Sequence, residues 1–262
     1  MTPHEAALEL EWVASDYMLR WLRRMSDVTV TAFGRAEGAC CPEFADADFL
    51  NTVHRLLPDE AELVPHIVEH CVAVGVGPWF ELMPAPGFEG LADALHAAGA
   101  RQVGFLTMQE RELPAPPPAE LPAGVAITPS ADDPDAFARV LPEGHGVPAD
   151  RLEQAVARTR EQAAIERTRT YLARVDGVPA AAAVLYLSGD VAYLANASTL
   201  ERYRRRGCQG ALVQRRLADA AAAGCRRACV ITGWGNQSHA NMVRAGFRSA
   251  YTKAMWRMDR PG

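Results

Sequence analysis

The sequence predicts a mixed α/β protein, an α+β arrangement on a mixed sheet, built as two related modules. Three observations carry this. The C-terminal half orders its segments as strand, two helices, three strands, helix, strand, helix, strand. A proline-rich run from Leu113 to Gly124, LPAPPPAELPAG, favours extended polyproline structure and separates the halves. Glycine-marked segment ends also recur in the same order. Gly75 and Gly224 are offset by 149 residues and Gly99 and Gly246 by 147, as a duplicated module would give. The expected organisation is a module at 1–112, a linker at 113–124 and a module at 125–262.

The elements of the second module follow from local chemistry. Val125 to Thr128 reads as a short strand. Asp133 to Leu141 and Asp150 to Glu166 have helical composition, and the loop Pro142-Glu-Gly-His-Gly-Val-Pro148 lies between them. Thr170–Val175 and Ala180–Leu187 form a hairpin through Asp176-Gly177. Val191 to Leu200 reads as one further strand. A helix runs from about Gly210 to Ala223, with Val213, Leu217 and Ala221 on one apolar seam and Gly224 suited to its C-terminal cap. Ala228–Thr232 is a buried-strand run, Ser238–Ala245 a short helix, and Phe247–Met258 a closing strand. In the first module, Trp79–Met83 and a strand ending at Met108 repeat the tail of this order.

Composition narrows the function classes. Lys plus Arg is 27 and Asp plus Glu is 32, so the 262-residue chain carries a net charge of −5. That mild acidity argues against a surface that tracks nucleic acid throughout. No apolar run reaches the roughly 18 residues of a membrane span, and the polar, acidic start lacks a signal peptide's basic head and apolar body. A cytoplasmic protein with no membrane or nucleic-acid partner is expected. The six cysteines form no disulfide framework. Cys225 and Cys229 lack the His or CxxC partner a zinc site needs, so no metal is expected.

The sharpest signal is Thr199-Leu-Glu-Arg-Tyr-Arg-Arg-Arg-Gly-Cys-Gln-Gly-Ala-Leu212. A strand ends, an arginine-rich turn follows, and a helix opens at glycines. Helix N-terminal N–H groups and the positive end of the helix dipole form an anion site. Gly207 allows close approach to the backbone, and arginine adds charge-assisted hydrogen bonds to phosphate oxygens. The physics proposes a phosphate-bearing cofactor at 204–211. Neither GxxxxGK[ST] nor GxGxxG is present. A nucleic-acid patch and a merely solvated charged turn are the competing readings of the same arginines.

This stretch resembles the GNAT N-acetyltransferase family, whose members carry Q/R-x-x-G-x-G/A between a strand and a helix. Arg204-Arg-Arg-Gly207-Cys-Gln209 matches it, with Gln209 in the last Gly/Ala place. Ser238-His-Ala-Asn241-Met-Val-Arg-Ala-Gly246-Phe247 is similar to the family's short helix and closing Gly-Phe. The resemblance covers about 125–258. The first module looks like a degenerate copy that keeps its strands and lacks the arginine-glycine loop. Leu57-Pro-Asp-Glu60 opens its helix with carboxylates that would repel a pyrophosphate.

The resemblance implies a tandem GNAT acyl-CoA N-acyltransferase fold and acetyl transfer from acetyl-CoA (coenzyme A) by direct attack of an amine. The acceptor would be a primary amine of a small molecule or peptide. Carried over residue by residue, Arg204, Arg205, Arg206, Gly207, Cys208, Gln209, Gly210 and Ala211 would cradle the pyrophosphate. Ala197, Ser198, Thr199 and Leu200 would pair with the pantetheine arm, with a backbone N–H near Leu200 polarising the thioester carbonyl. Ser238 and Asn241 would bond the arm or cap their helix. The family's proton-donating tyrosine is replaced by Met242, which donates nothing. Tyr251 is the substitute donor, and Glu143 and His145 are the candidate bases for the protonated acceptor. The alternative implied is a non-catalytic acyl-CoA-binding or regulatory module.

Overall fold

The computed structural model describes residues 2–114 and 120–259. The middle of the expected linker, 115–119, lies outside the described residues. The chain forms two compact units, and both are discontinuous in sequence. The first takes residues up to Met108, Ile231–His239 and the stretch from Ser249. The second takes Gln109–Val230 and Ala240–Arg248.

The first unit opens with α1 (Pro3–Leu22). Thr2 caps it in a reciprocal box with Glu5, and Pro3 stands where a missing N–H costs nothing. β1 (Thr29–Phe33) and β2 (Ala36–Cys40) form a hairpin, and β3 (Thr52–His54) pairs antiparallel to β2. A 3₁₀ turn, Pro58–Leu63, leads into α2 (Val64–Ala73). β4 (Trp79–Leu82) runs parallel to β3, and α3 (Phe88–Ala97) precedes β5 (Arg101–Glu112). The last strand among the described residues, β12 (Arg248–Arg257), pairs antiparallel to β4.

Strand alternation divides the faces of β4. Phe80 and Leu82 join Val53, Ile67, Leu91 and Leu95 in an apolar core. Glu81 points to the opposite face, where Lys253 of β12 bonds it and Glu11 of α1, both at 2.7 Å. The Tyr251 hydroxyl donates to the other Glu11 oxygen at 2.8 Å. His54 is buried nearby, and its Nε2 has no partner among the described residues. The carboxylates expected to repel a phosphate at the 57–60 turn are engaged by Arg35: its backbone N–H and side chain bond Glu60, and its guanidinium pairs with Asp59.

The second unit holds β6 (Val125–Pro129), α4 (Pro134–Gly144), α5 (Leu152–Ala163), β7 (Thr168–Val175) and β8 (Val178–Ser188). β9 (Val191–Tyr193), β10 (Ala197–Thr199) and α6 (Cys208–Ala222) follow. β11 (Arg227–Gly233) and α7 (Gln237–Arg244) each begin in one unit and end in the other. β6, β7, β8 and β9 are antiparallel neighbours in that order, and β11 lies parallel to β9. Asp176 and Gly177 both have positive φ, +51° and +81°, the requirement of a type I′ hairpin turn.

The core of this unit packs Leu185, Leu194, Leu212, Val213, Leu217 and Phe247 against the alanines of β8. Those alanines let a helix approach the sheet closely. The end of β5 is held here too. Leu113 N–H donates to Arg226 O at 2.8 Å, and Glu110 pairs with Arg248 at 3.0 Å.

Candidate functional site

The expected single strand at 191–200 is broken, and the break shapes the site. Tyr193 pairs with Tyr186 and Ala197 with Ala183, so Leu194, Ala195 and Asn196 stand opposite only Val184 and Leu185. The extra residue makes a β-bulge. Before it, Leu194 N–H still donates to Cys229 O of β11. After it, among the described residues, β10 pairs with β8 alone. Val184 N–H donates to Asn196 O, and Leu200 N–H donates to Ala180 O at 2.9 Å. In an antiparallel ladder the bonding direction alternates, so residues 196, 198 and 200 turn their backbone groups to β8. Ala197 and Thr199 turn theirs to the open edge. The N–H near Leu200 expected to polarise a carbonyl is thus spent inside the sheet, and the available groups belong to Ala197 and Thr199.

The helix that follows opens without a side-chain cap. Its N-cap, Gly207, is left-handed at φ +81°, and the first intrahelical bond runs from Ala211 N–H to Gly207 O. The N–H groups of Cys208, Gln209 and Gly210 precede that bond and point out of the helix end. Arg204, Arg205 and Arg206 are exposed around them, and Arg205 also has positive φ, +63°. Arg206 lies 3.6 Å from Asp176, a pairing between two exposed side chains that water screens. The reason for glycine at 207 differs from the expected one. A Cβ there would lie 2.5 Å from Pro122, whereas at Gly210 a Cβ would meet nothing within 4 Å. The open approach is at Gly210. Cys208 is buried, and burial pushes its thiol up, so it is a packing residue here and no nucleophile.

A profile of the acetyltransferase (GNAT) domain matches residues 135–239. This region is similar to the GNAT acetyltransferase domain. Among solved structures, a GCN5-related N-acetyltransferase from Kribbella flavida is 21% identical and superposes with a TM-score of 0.62 over 97% of this chain and 95% of its own. A tandem GNAT protein from the clavulanic acid biosynthesis pathway is 16% identical, with a TM-score of 0.64 over 97% and 94%. A GCN5-related N-acetyltransferase from Sphaerobacter thermophilus is 16% identical, with a TM-score of 0.62 over 88% and 83%. The chain has the GNAT fold in its tandem form. No curated protein matches it in sequence.

Within the second unit several expected residues come together. Asn241 Nδ2 donates to Gln209 Oε1 at 3.1 Å and Asn241 accepts from Arg244, so this side chain braces the first turn of α6. Ser198 points its hydroxyl away from the open edge and donates it to Leu141 O at 2.8 Å and Val140 O at 3.2 Å, tying β10 to the last turn of α4. Glu143 belongs to that turn of helix and not to a loop. It lies 3.7 Å from Arg139. His145 is the C-cap of α4, and the protein atoms around its ring lower its pKa.

Others are placed differently. Ser238 lies on the part of α7 that groups with the first unit, and Asn236 does the capping there, accepting from His239 N–H at 2.8 Å. Tyr251 belongs to the first unit, where its proton is committed to Glu11, which removes it as the substitute acid. Met242 is buried in the core of the second unit.

Two contributors escape the sequence reading. Gly144 approaches β10 so closely that a Cβ would sit 2.3 Å from Ser198 Oγ and 3.1 Å from Thr199 N. Arg216 is fully buried on α6 and donates to Val184 O, Ala195 O and Leu212 O. The signal for Arg216 was a charge three residues after Val213, on the apolar side of the helix.

Proposed function

We propose that the protein is an N-acetyltransferase that moves the acetyl group of acetyl-CoA to a primary amine of a small molecule or peptide. One observation carries this reading: an uncapped helix start ringed by three arginines follows directly on a strand whose outer edge is left open by a bulge. The residues suit the group. Backbone N–H of Cys208, Gln209 and Gly210, with Arg204, Arg205 and Arg206, hold a diphosphate. Gly210 leaves room for it, and Asn241 fixes Gln209 beside it. Ala211 continues the same turn. Ala197 and Thr199 offer an N–H and a C=O each to an extended amide-bearing arm, as a missing strand would. Bound acetyl-CoA supplies an activated thioester.

An alkylamine acceptor with a pKa near 10.4 is mostly protonated at neutral pH and must lose a proton before it attacks. His145, at the end of α4, is the base this reading assigns, with Glu143 as the neighbouring carboxylate that attracts the ammonium. Gly144 between them is in contact with the strand that carries Thr199. The cytoplasm suits six cysteines that form no disulfide, and no described helix is long and apolar enough to cross a membrane. The first module, at 1–112, serves this reading as a scaffold without a cofactor loop, joined through 113–124 to the module at 125–262.

Calorimetry with acetyl-CoA, followed by turnover across a panel of amines, tests the proposal. Arg206→Glu with Gly210→Asp, which adds negative charge where a side chain meets open space, should abolish binding, and unchanged affinity contradicts the assignment. The burial of Met242 favours a second reading, an acyl-CoA-binding module without turnover. Tight binding with no acetylated product across the panel would select it.

A further inference from the structure

We propose that Arg216 is a positioning residue that sets the open edge of β10 for the acyl-bearing arm. The inference rests on the acetyl-CoA reading above and deepens it. Arg216 lies in the middle of α6, the helix whose first turn forms the anion site. Its Nη1 donates to Val184 O at 3.1 Å and to Ala195 O at 3.3 Å, while Nε donates to Leu212 O at 3.2 Å. Ala195 is the middle residue of the bulge, and Val184 is the β8 residue whose N–H bonds Asn196 at its end. One guanidinium therefore joins both sides of the irregularity to the helix.

The bulge leaves backbone carbonyls without ladder partners inside the protein, and such acceptors are costly unless paired. Arginine's fork of donors answers two of them from one rigid plane. Among the described residues no carboxylate neutralises Arg216, so the charge is held by carbonyl oxygens alone. A salt-bridging role is thereby excluded, and so is a role in surface solubility. What remains is geometry: with the Ala195 carbonyl drawn to α6, the chain turns and presents Ala197 and Thr199 away from β8. Without it the bulge is free to relax towards a continuous ladder, which would turn a different pair of residues outward.

The test separates the arm from the nucleotide. Two ligands are titrated calorimetrically: acetyl-CoA, and the nucleotide diphosphate portion of coenzyme A, which lacks the arm. Arg216→Met should weaken acetyl-CoA about tenfold or more and leave the nucleotide portion within about twofold. Arg216→Lys, which keeps the charge and reaches fewer carbonyls, should recover part of the loss. Amide hydrogen exchange at Leu194–Thr199 should quicken in both variants, while exchange in the first turn of α6 stays as in the parent. Should Arg216→Met fail to fold, the Arg216→Lys titration and exchange decide alone. Equal losses for both ligands, or acetyl-CoA affinity within twofold of the parent, overturn the inference. A parent protein that binds neither ligand instead overturns the acetyl-CoA reading itself.

Discussion

Lys253 sits with its ammonium 2.7 Å from Glu81 and 2.7 Å from Glu11, a buried cation between two carboxylates on elements far apart in sequence. Burial disfavours charge on a carboxylate, and at Glu81 the contact with Lys253 and its hydrogen bond work against that cost. Burial alone would push Glu81 up, yet Lys253 and the nearby His54 hold it below its usual range.

Replacing Lys253 by Met should therefore cost about 3–5 kcal/mol, the range for breaking a buried pair. Chemical denaturation at neutral pH measures it. Adding Glu11→Gln to the same chain should return part of the loss, since one unpaired charge is then gone. A double variant no more stable than the single one would show that packing and not charge is at stake.

His54 gives the fold an acid-sensitive step. Burial is the main cause that lowers its pKa to about 4, with Lys253 and Arg55 adding to the effect and Glu81 opposing it. The folded form then binds fewer protons than the unfolded chain between about pH 4 and the ordinary histidine value near 6.5. Stability is full above that value and falls as the pH drops through the window, by at most about 3 kcal/mol. Unfolding midpoints of the parent and His54→Gln from pH 7 to pH 4 should converge as the pH falls.

Two glycines of the site should respond oppositely to a methyl group. Gly144→Ala drives a Cβ to within 2.3 Å of Ser198 Oγ and should lower both stability and acetyl-CoA affinity. Gly210→Ala meets open space on the helix surface and should hold or raise stability by up to about 1 kcal/mol. Its methyl group occupies the approach to the α6 N–H groups, so acetyl-CoA affinity should fall. Thermal scans with and without ligand read both effects.

Placing a tyrosine at position 242 is expected to do harm. Met242 is packed in the core, and a larger ring there overpacks it by about 1–3 kcal/mol. Met242→Tyr should lower the melting temperature without raising acetyl turnover.

Much of this was legible from residue patterns. Asp176-Gly177 fixed its hairpin through local backbone preference, and the arginine–glycine run marked the start of α6 because helix ends have chemistry of their own. The bulge was not legible. Leu194-Ala195-Asn196 has the composition of continuous strand, and the break shows only in the register against β8 and the pull of Arg216 from another element. Tyr251 misled for a similar reason: its place near Gly246-Phe247 in sequence says nothing of Glu11, which lies 240 positions away. Contacts set by long-range pairing leave no local trace.

The first unit cannot close until its final strand exists. β4 waits for β12, and Glu11 and Glu81 wait for Lys253. During synthesis the N-terminal half must emerge, stay open through the making of some hundred and fifty further residues, and only then seal. Its exposed strand edge over that interval is a natural client for a chaperone.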